Sequence, residues 1–384
     1  MLRKKKYYPK RYKYVSKKLK IILSGGGTGG HIFPAVSIAN EVKKLVPDAE
    51  VLFVGALGKM EMEKVPAAGY KIIGVPIVGL QRRLTLSNLK LPFMLIRSML
   101  KTKRIIKDFH PDVVVGTGGF ASGPILKAAC NRHIPALIQE QNSYAGITNK
   151  ILSRRVNKIC VAYEGMERFF PKEKILMTGN PVRQDIKDVK QKRNEAISFF
   201  KLDPNRKTIL VIGGSLGART INEAMGNGLQ QLADNNIQLI WQTGKGYFAK
   251  AKEQTAAFAE KNICSFDFIQ RMDLAYAAAD IVVSRAGASS VSELCNIGMP
   301  CILVPSPNVA EDHQTKNAMA LVNKNAAILV KDAEASGNLV KTAVSLISDT
   351  GRQNELSKNI SSLAFHNSAN VIANEVLKLA GYTK

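Results

Sequence analysis

Short apolar runs alternate along this chain with stretches in which apolar residues return every three or four positions. Two segments are built alike. In the first, Lys20-Ile-Ile-Leu-Ser24 leads into Gly25-Gly-Gly-Thr-Gly-Gly30, followed by a helix-like stretch from Pro34 to Leu45. In the second, Thr208-Ile-Leu-Val-Ile212 leads into Gly213-Gly-Ser-Leu-Gly217, with helical periodicity resuming at Ala218. An apolar strand, a glycine turn and a helix in that order open doubly wound α/β units. Further strand-like runs are Val51–Val54, Val113–Val115 and Leu137–Gln139 in one half, and Gln238–Trp241, Ile281–Ser284 and Cys301–Val304 in the other. Helix-period stretches between them predict parallel sheets with right-handed crossovers. The pattern breaks near Gly179-Asn-Pro-Val-Arg183, which predicts a junction between two α/β domains facing a central cleft. Ligands of open α/β sheets bind at the carboxyl ends of the strands, so the cleft is the expected site.

Composition supports this reading and narrows it. A chain of 384 residues with 46% hydrophobic residues can fill two cores. The five cysteines, Cys130, Cys160, Cys264, Cys295 and Cys301, form no C-x-x-C pair and read as small buried hydrophobes in a reducing compartment, with no disulfide framework and no metal site. The formal net charge is +25. Such an excess suits a polyanion, either nucleic acid or an anionic membrane surface. Its distribution is uneven: ten of the first twenty residues are Lys or Arg and none is acidic. Residues 1–18 therefore read as a solvated basic tail. No apolar run suited to a signal peptide follows it, and no segment reaches the length of about eighteen apolar residues that a membrane span needs.

The chemistry-bearing candidates lie at the ends of the predicted strands. Glycine loops let a backbone approach phosphate, and the following helix offers N–H donors. A pair of such loops points to a diphosphate compound. Neither has the Gly-Lys-Ser/Thr of a P-loop or the spacing of a dinucleotide fingerprint. His31 follows the first loop directly. A helix N-terminus favours the neutral imidazole that a general base requires, although a lone histidine can equally be structural. Ser290-Val-Ser-Glu293 fits a capping box, while its place after the strand Ile281–Ser284 would also let Glu293 accept the hydroxyls of a ribose. Gln139-Glu-Gln-Asn142 is a polar cluster at a strand end, suited to sugar hydroxyls. Between Leu89 and Ile106, Lys90, Arg97, Lys101 and Arg104 recur at helical spacing beside a stripe of Leu89, Phe93, Ile96 and Leu100. This is either a surface helix packed on its sheet or an interfacial helix resting on anionic lipid.

Taken in order, several motifs resemble one family. They are Gly26-Gly-Thr-Gly-Gly-His31-Ile-Phe-Pro34, Gly116-Thr-Gly-Gly119-Phe-Ala-Ser122-Gly-Pro124, Glu140-Gln-Asn142-Ser-Tyr-Ala-Gly146-Ile-Thr-Asn149 and Gly179-Asn-Pro-Val-Arg183. Gly213-Gly-Ser215-Leu-Gly-Ala-Arg219, Phe268-Ile269 and the run from Ser284 through Glu293 to Pro305, with Gln314 and Asn317, complete the set. Over about residues 19–380 the chain is similar to the MurG family of peptidoglycan N-acetylglucosaminyltransferases. The resemblance implies a GT-B fold of two Rossmann-like domains: an acceptor and membrane domain over 19–181, completed by a C-terminal helix at 366–384, and a UDP-sugar domain over 182–365. It implies UDP-N-acetylglucosamine as donor and the undecaprenyl-pyrophosphoryl-muramoyl-pentapeptide, lipid I, as acceptor. Lipid II would be the product, made by inverting attack of the muramoyl C4 hydroxyl. It implies a peripheral protein on the cytoplasmic face of a bacterial plasma membrane, with no cofactor, no metal and no nucleic-acid partner.

Carried over by position, Thr28, Gly29 and Gly30 belong to the first ligand loop, and Asn142, Arg183 and Ser215 to donor contacts. Ile269 would meet uracil through its backbone. Ala288, Ser289, Ser290, Val291, Ser292 and Glu293 would line diphosphate and ribose, and Gln314 would hold sugar hydroxyls. His31 is the candidate base and Glu140 the alternative. Arg97, Lys101 and Arg104, with Phe93, Ile96 and Leu100, would meet the membrane. The chain departs from the family pattern at Gln139, a frequent histidine; Phe120, a frequent tyrosine; Ala286, a frequent serine; and His313, a frequent glutamine. Two rival readings are a glycolipid synthase of the same fold acting on diacylglycerol with another UDP-hexose, and a basic nucleic-acid-binding protein. The Gln139–Asn149 cluster argues against the first and the absence of a recognised binding module against the second.

Overall fold

The computed structural model describes residues 18–77, 91–183, 186, 188–214 and 216–382. Two parallel sheets organise the chain. The first has seven strands: β1 (Lys20–Ser24), β2 (Glu50–Ala56), β3 (Lys71–Val75), β4 (Val113–Gly116), β5 (Ala136–Glu140), β6 (Lys158–Val161) and β7 (Ile175–Met177). Their order is β3-β2-β1-β4-β5-β6-β7. The second has six: β8 (Thr208–Ile212), β9 (Gln238–Gln242), β10 (Ile263–Phe266), β11 (Ile281–Ser284), β12 (Cys301–Leu303) and β13 (Ile328–Leu329), in the order β10-β9-β8-β11-β12-β13.

Burial explains why the central strands read as unbroken apolar runs. Ile21, Ile22 and Leu23 of β1 are all fully buried, as are Ile209, Leu210 and Val211 of β8, because helices cover both faces of each sheet. Each such side chain contributes roughly 1.5–3 kcal/mol. The strands β3, β6, β7, β10 and β13 lie toward the sheet edges, and the apolar-run pattern did not mark them. The side on which successive strands are added switches between β1 and β4, and again between β8 and β11. Both glycine loops follow the inner strand of such a switch, the point where a doubly wound sheet opens a crevice.

The first helix differs from its expected start. It spans Gly29–Leu45, so the last two loop glycines and His31 are helical and Pro34 sits inside the second turn. Proline there has no N–H to give to the Gly30 carbonyl. The final helix, Ser368–Leu379, packs back on this first one: Ile372, Ala373 and Val376 are buried in the first sheet's core, and Asn370 donates to Glu41 Oε1 at 2.8 Å. The two crossings between halves meet at Gly179. Its φ is +72°, and a Cβ there would stand 2.2 Å from Phe365 Cβ. Cys160, Cys295 and Cys301 are buried and free, and burial pushes the Cys160 and Cys295 thiols up to about 12. Cys130 and Cys264 are only half-buried, contrary to expectation, being at a helix end and an edge strand.

Candidate functional site

Three loops build the first half of the site at the ends of β1, β4 and β5. Glycine is required where they interlock. A Cβ on Gly25 would meet Thr117 Oγ1 at 1.9 Å, and one on Gly119 (φ +75°) would meet the Gly26 carbonyl at 2.3 Å. The Gly118-Gly119 backbone packs against the His31 ring. His31 Nδ1 lies 3.0 Å from the Thr117 carbonyl and 3.0 Å from Gln141 Oε1. Both are acceptors, so Nδ1 carries the proton, and Nε2 of the neutral ring keeps its lone pair. Thr28 is the extended N-cap of the helix but gives no side-chain cap, which leaves the N–H groups at Gly29 and Gly30 to whatever binds there.

Glu140 is 1% exposed and has a different task from a free base. Its Oε1 accepts from Asn142 N at 3.1 Å and Asn142 Nδ2 at 3.3 Å, and its Oε2 from Gly146 N at 3.0 Å and Asn149 Nδ2 at 2.8 Å. Four donors on one carboxylate hold the 140–149 loop in place. Glu61, fully buried, does the same for the first glycine loop, accepting from Ala56 N at 2.9 Å and Gly27 N at 3.0 Å. No spacing rule in the sequence marks Glu61; only the fold brings it under the loop.

The second half centres on a cavity of about 480 Å³. Two helix N-termini open onto it, Arg219–Asn227 after the second glycine loop and Ala288–Ile297 after β11, and neither has a side-chain cap. Their unpaired N–H groups and aligned dipoles make an anion site. The loop is fixed by close backbone contact: a Cβ on Gly217 (φ +80°) would meet the Thr243 carbonyl at 1.9 Å. Arg285 braces the wall through Asp332 and the carbonyl of Val304 at 3.0 Å, and Thr220 donates to Asp332 at 2.9 Å. Gln314 lines the cavity and accepts from Ser306 N at 2.9 Å. Ser215 lies outside the described residues.

The capping box is not formed. The helix starts at Ala288 with Gly287 as N-cap, which places Ser290 within the first turn and Glu293 in the second. Glu293 instead accepts from Tyr276 Oη at 2.9 Å and pairs with Arg183 Nε at 3.4 Å. Burial, and then the neighbouring Glu293 charge, push the Tyr276 phenol up, so it stays a donor. Of the remaining helix positions, Ala288 and Val291 are buried and Ser289 is half-buried. The Ile269 N–H is taken by Gln242 Oε1 at 2.9 Å, leaving its carbonyl to meet a base.

Side chains join the halves. Asn317 Oδ1 accepts from Ser143 N at 3.0 Å and Ser143 Oγ at 3.1 Å, while its Nδ2 donates to Asn142 Oδ1 at 3.1 Å. Asn180 donates to Ser292 Oγ at 2.9 Å. His31, Asn142, Arg183 and the 288–293 helix start thus share one cleft. Asn180 and Tyr276 were not picked out from the sequence, though Asn180 lay within the Gly179–Arg183 motif.

The helix Leu91–Phe109 stands apart from this cleft, and Leu89 and Lys90 lie outside the described residues. Its buried positions include Ser98, Thr102, Ile105 and Ile106. Phe93, Ile96 and Leu100 face outward at 63%, 58% and 61% exposure, beside exposed Arg97, Lys101 and Arg104. The apolar stripe is therefore not the one that packs on the sheet. A cavity of about 1200 Å³ runs from Leu100 and Arg104 to Glu50, which pairs with Lys18 at 4.0 Å and Lys20 at 3.6 Å. No helix of the described residues is long and apolar enough to cross a membrane.

Two family models match the chain: the glycosyltransferase family 28 N-terminal domain over residues 21–161 and its C-terminal domain over residues 208–375. The chain is 55% identical over 363 residues to a UDP-N-acetylglucosamine--N-acetylmuramyl-(pentapeptide) pyrophosphoryl-undecaprenol N-acetylglucosamine transferase of Parabacteroides distasonis, covering 94% of this chain and 99% of that protein. It is 58% identical to the transferase of the same name from Phocaeicola vulgatus, covering 94% and 96%. Among solved structures it is similar to MurG of Acinetobacter baumannii, with a TM-score of 0.76 and 26% identity over 94% of this chain and 99% of that one.

The Glu61 clamp carries a direct test. Glu61→Gln replaces one acceptor oxygen by an NH2 group facing a backbone N–H, and an unsatisfied buried donor costs about 1–3 kcal/mol. The melting temperature of this variant is expected to fall by several degrees. An unchanged melting curve would show that the glycine loop holds its shape without the carboxylate.

Proposed function

The chain belongs to glycosyltransferase family 28, and from that premise we propose that it transfers N-acetylglucosamine from UDP-N-acetylglucosamine to lipid I, forming lipid II, through the cleft residues described above. The observation that carries the reading is a likeness over almost the whole chain in which both halves of the site are present. The His31 imidazole, its Nδ1 turned to two acceptors, stands on one side, and two uncapped helix N-termini on the other.

The chemistry follows from that arrangement. His31 Nε2 takes the proton of the acceptor C4 hydroxyl as its oxygen attacks the anomeric carbon, inverting that centre. UDP departs with its bond electrons, and the N-termini at Arg219 and Ala288 meet the charge developing on its diphosphate. Glu140 orients Asn142 for the donor sugar rather than taking the proton. Glu293 accepts the ribose hydroxyls, with Tyr276 holding one of its oxygens, and the Ile269 carbonyl accepts from uracil. Gln314 faces the sugar hydroxyls. No group of three or more His, Cys, Asp or Glu side chains that could hold a metal occurs among the described residues. Helix N-termini supply the electrostatic stabilisation in this reading. The protein works from the cytoplasmic face of the plasma membrane as a peripheral enzyme, resting on anionic lipid through the outward stripe of helix Leu91–Phe109.

The test is product formation from labelled UDP-N-acetylglucosamine and lipid I by the purified protein, with and without chelator. Lipid II is expected in both. No product would sink the reaction, and strict dependence on added magnesium or manganese would sink the metal-free route.

Two substitutions separate base from donor site. His31→Ala is expected to lower kcat by about 10²–10⁴-fold with UDP affinity nearly intact. Glu293→Gln is expected to weaken UDP-sugar binding by about 1.5–3 kcal/mol, the range for a hydrogen bond to a charged group. Near-normal turnover by His31→Ala would place the base elsewhere.

For the membrane face, reversing Arg97, Lys101 and Arg104 together to Glu is expected to weaken binding to anionic vesicles by more than about a hundredfold. Turnover of a soluble acceptor analogue should change little. Unaltered vesicle binding would make the stripe an ordinary surface.

A further inference from the structure

Two cations, one from each half, converge on a single aromatic ring beside the cleft. Tyr144 stands two positions after Asn142, in the loop that Glu140 holds. Lys316, on the helix His313–Val322 of the second half, places Nζ 3.4 Å from the centroid of the Tyr144 ring. Lys150 Nζ, from the first half, stands 4.3 Å from the same centroid. Within its own half the ring is backed by Phe169, edge-on at 4.7 Å between centroids, and Arg168 donates to the neighbouring Ser143 carbonyl at 2.8 Å. Glu311, of the second half, meets both ammonium groups. Its carbonyl accepts from Lys316 Nζ at 2.8 Å, and its Oε2 lies 3.9 Å from Lys150 Nζ.

An aromatic face attracts a cation, and the attraction grows as the pair leaves water. Tyr144, Lys150, Lys316 and Glu311 are all half-buried. Two ammonium groups at one ring repel each other, and the Glu311 carboxylate and carbonyl offset that repulsion. The four residues form one clasp. Lys316 closes down on a ring of the first half, and Lys150 reaches the other way to a carboxylate of the second.

The clasp lies next to the two side chains that meet the donor sugar from opposite halves. Gln314 precedes Lys316 by two positions, and with its Oε1 taken by Ser306 N its Nε2 is left to donate. Asn142 accepts from Asn317 at 3.1 Å and gives one Nδ2 hydrogen to Glu140 at 3.3 Å, which leaves the other for the sugar. The span from Asn142 to Gln314 is therefore set by how the halves meet here, where Lys316 rests on Tyr144. UDP is met by Glu293, Ile269 and two helix N-termini, all on the second half.

We propose that Tyr144, Lys316 and Lys150 are positioning residues that fix the span between Asn142 and Gln314 and so set which donor sugar the cleft accepts. A sugar with one hydroxyl inverted loses its partner only while that span is held. The proposal rests on UDP-N-acetylglucosamine as the donor.

The test measures kcat/KM for UDP-N-acetylglucosamine and for its C4 epimer, UDP-N-acetylgalactosamine, in the wild type, Tyr144→Leu, Tyr144→Phe and Lys316→Met. Calorimetric titration gives the affinity for UDP. Tyr144→Leu and Lys316→Met are expected to lower kcat/KM for the first donor by roughly twofold to thirtyfold, as a lost cation–π contact converts, and to narrow the ratio between the two donors. Tyr144→Phe, which keeps the ring, should stay near the wild type, and UDP affinity should hold in all three. Melting curves report folding, and Lys316→Met decides the matter if Tyr144→Leu does not fold. Unchanged kinetics and donor ratio in folded Lys316→Met overturn the proposal. So does Tyr144→Phe as impaired as Tyr144→Leu, or UDP affinity that falls as far as kcat/KM. A wild type inactive with both donors overturns the donor reading and the proposal with it, whereas variants that match an active wild type overturn the proposal alone.

Discussion

A helix that starts at the very end of a buried parallel strand leaves its first N–H groups without partners, and here that constraint is met by leaving them open. The three helices that begin at Gly29, Arg219 and Ala288 have no side-chain cap, and the last two share a cavity. Glycine makes the turns short enough for this. At Gly25 and Gly213 a Cβ would come within 1.9 Å of Thr117 Oγ1 and 2.4 Å of Ala218 N. The close packing that stabilises each α/β half therefore also exposes the donors that an anionic ligand needs. Folding and binding draw on the same backbone geometry.

Carboxylates inside the first half work as clamps. Glu61 and Glu140 are almost wholly buried, and each of their oxygens accepts from the loops around the cleft. A buried charge is costly unless it is hydrogen-bonded, so each fixes one loop shape and disfavours the alternatives. Rigid loops on a rigid sheet hold the His31 ring against the Thr117 carbonyl and Gln141. The junction between halves is made differently, from neutral amides and hydroxyls such as Asn317, Ser143, Asn180 and Ser292. Each such bond contributes only about 0.5–1.5 kcal/mol net. A handful of them hold the halves in register. The two crossings pack against each other at Gly179 and Phe365.

The outward-facing stripe of helix Leu91–Phe109 inverts the usual arrangement of a surface helix. Serine and threonine take buried places while Phe93, Ile96 and Leu100 stay in solvent. Exposed apolar side chains bordered by Arg97, Lys101 and Arg104 suit the boundary between lipid headgroups and acyl chains. A lipid-linked acceptor would be presented at that boundary, on the same half of the molecule as His31.

Much of the architecture was legible in the residues alone. The central strands β1, β4, β5, β8, β9 and β11 stand out because burial on both faces demands an unbroken apolar run, and the glycine loops because only glycine fits the turns that follow. The outer strands β3, β7, β10 and β13 did not stand out, since mixed exposure gives them no distinctive pattern, and β6 did not because its buried run Ile159–Val161 is short. The resemblance in motifs identified the family. Local rules failed where a competing contact decided the outcome. The first helix begins at Gly29 because the Thr28 carbonyl starts its hydrogen bonding, despite two glycines and a proline. The Ser290–Glu293 capping box is absent because the helix starts earlier, at Ala288, and Glu293 is drawn to Tyr276 and Arg183. Which stripe of the Leu91–Phe109 helix is buried, which carboxylate is a clamp, and which nitrogen of His31 holds the proton depend on partners 30 to more than 100 positions away in the chain. Periodicity and motif spacing describe what each segment can do by itself; those choices are made by groups that only the folded chain brings together.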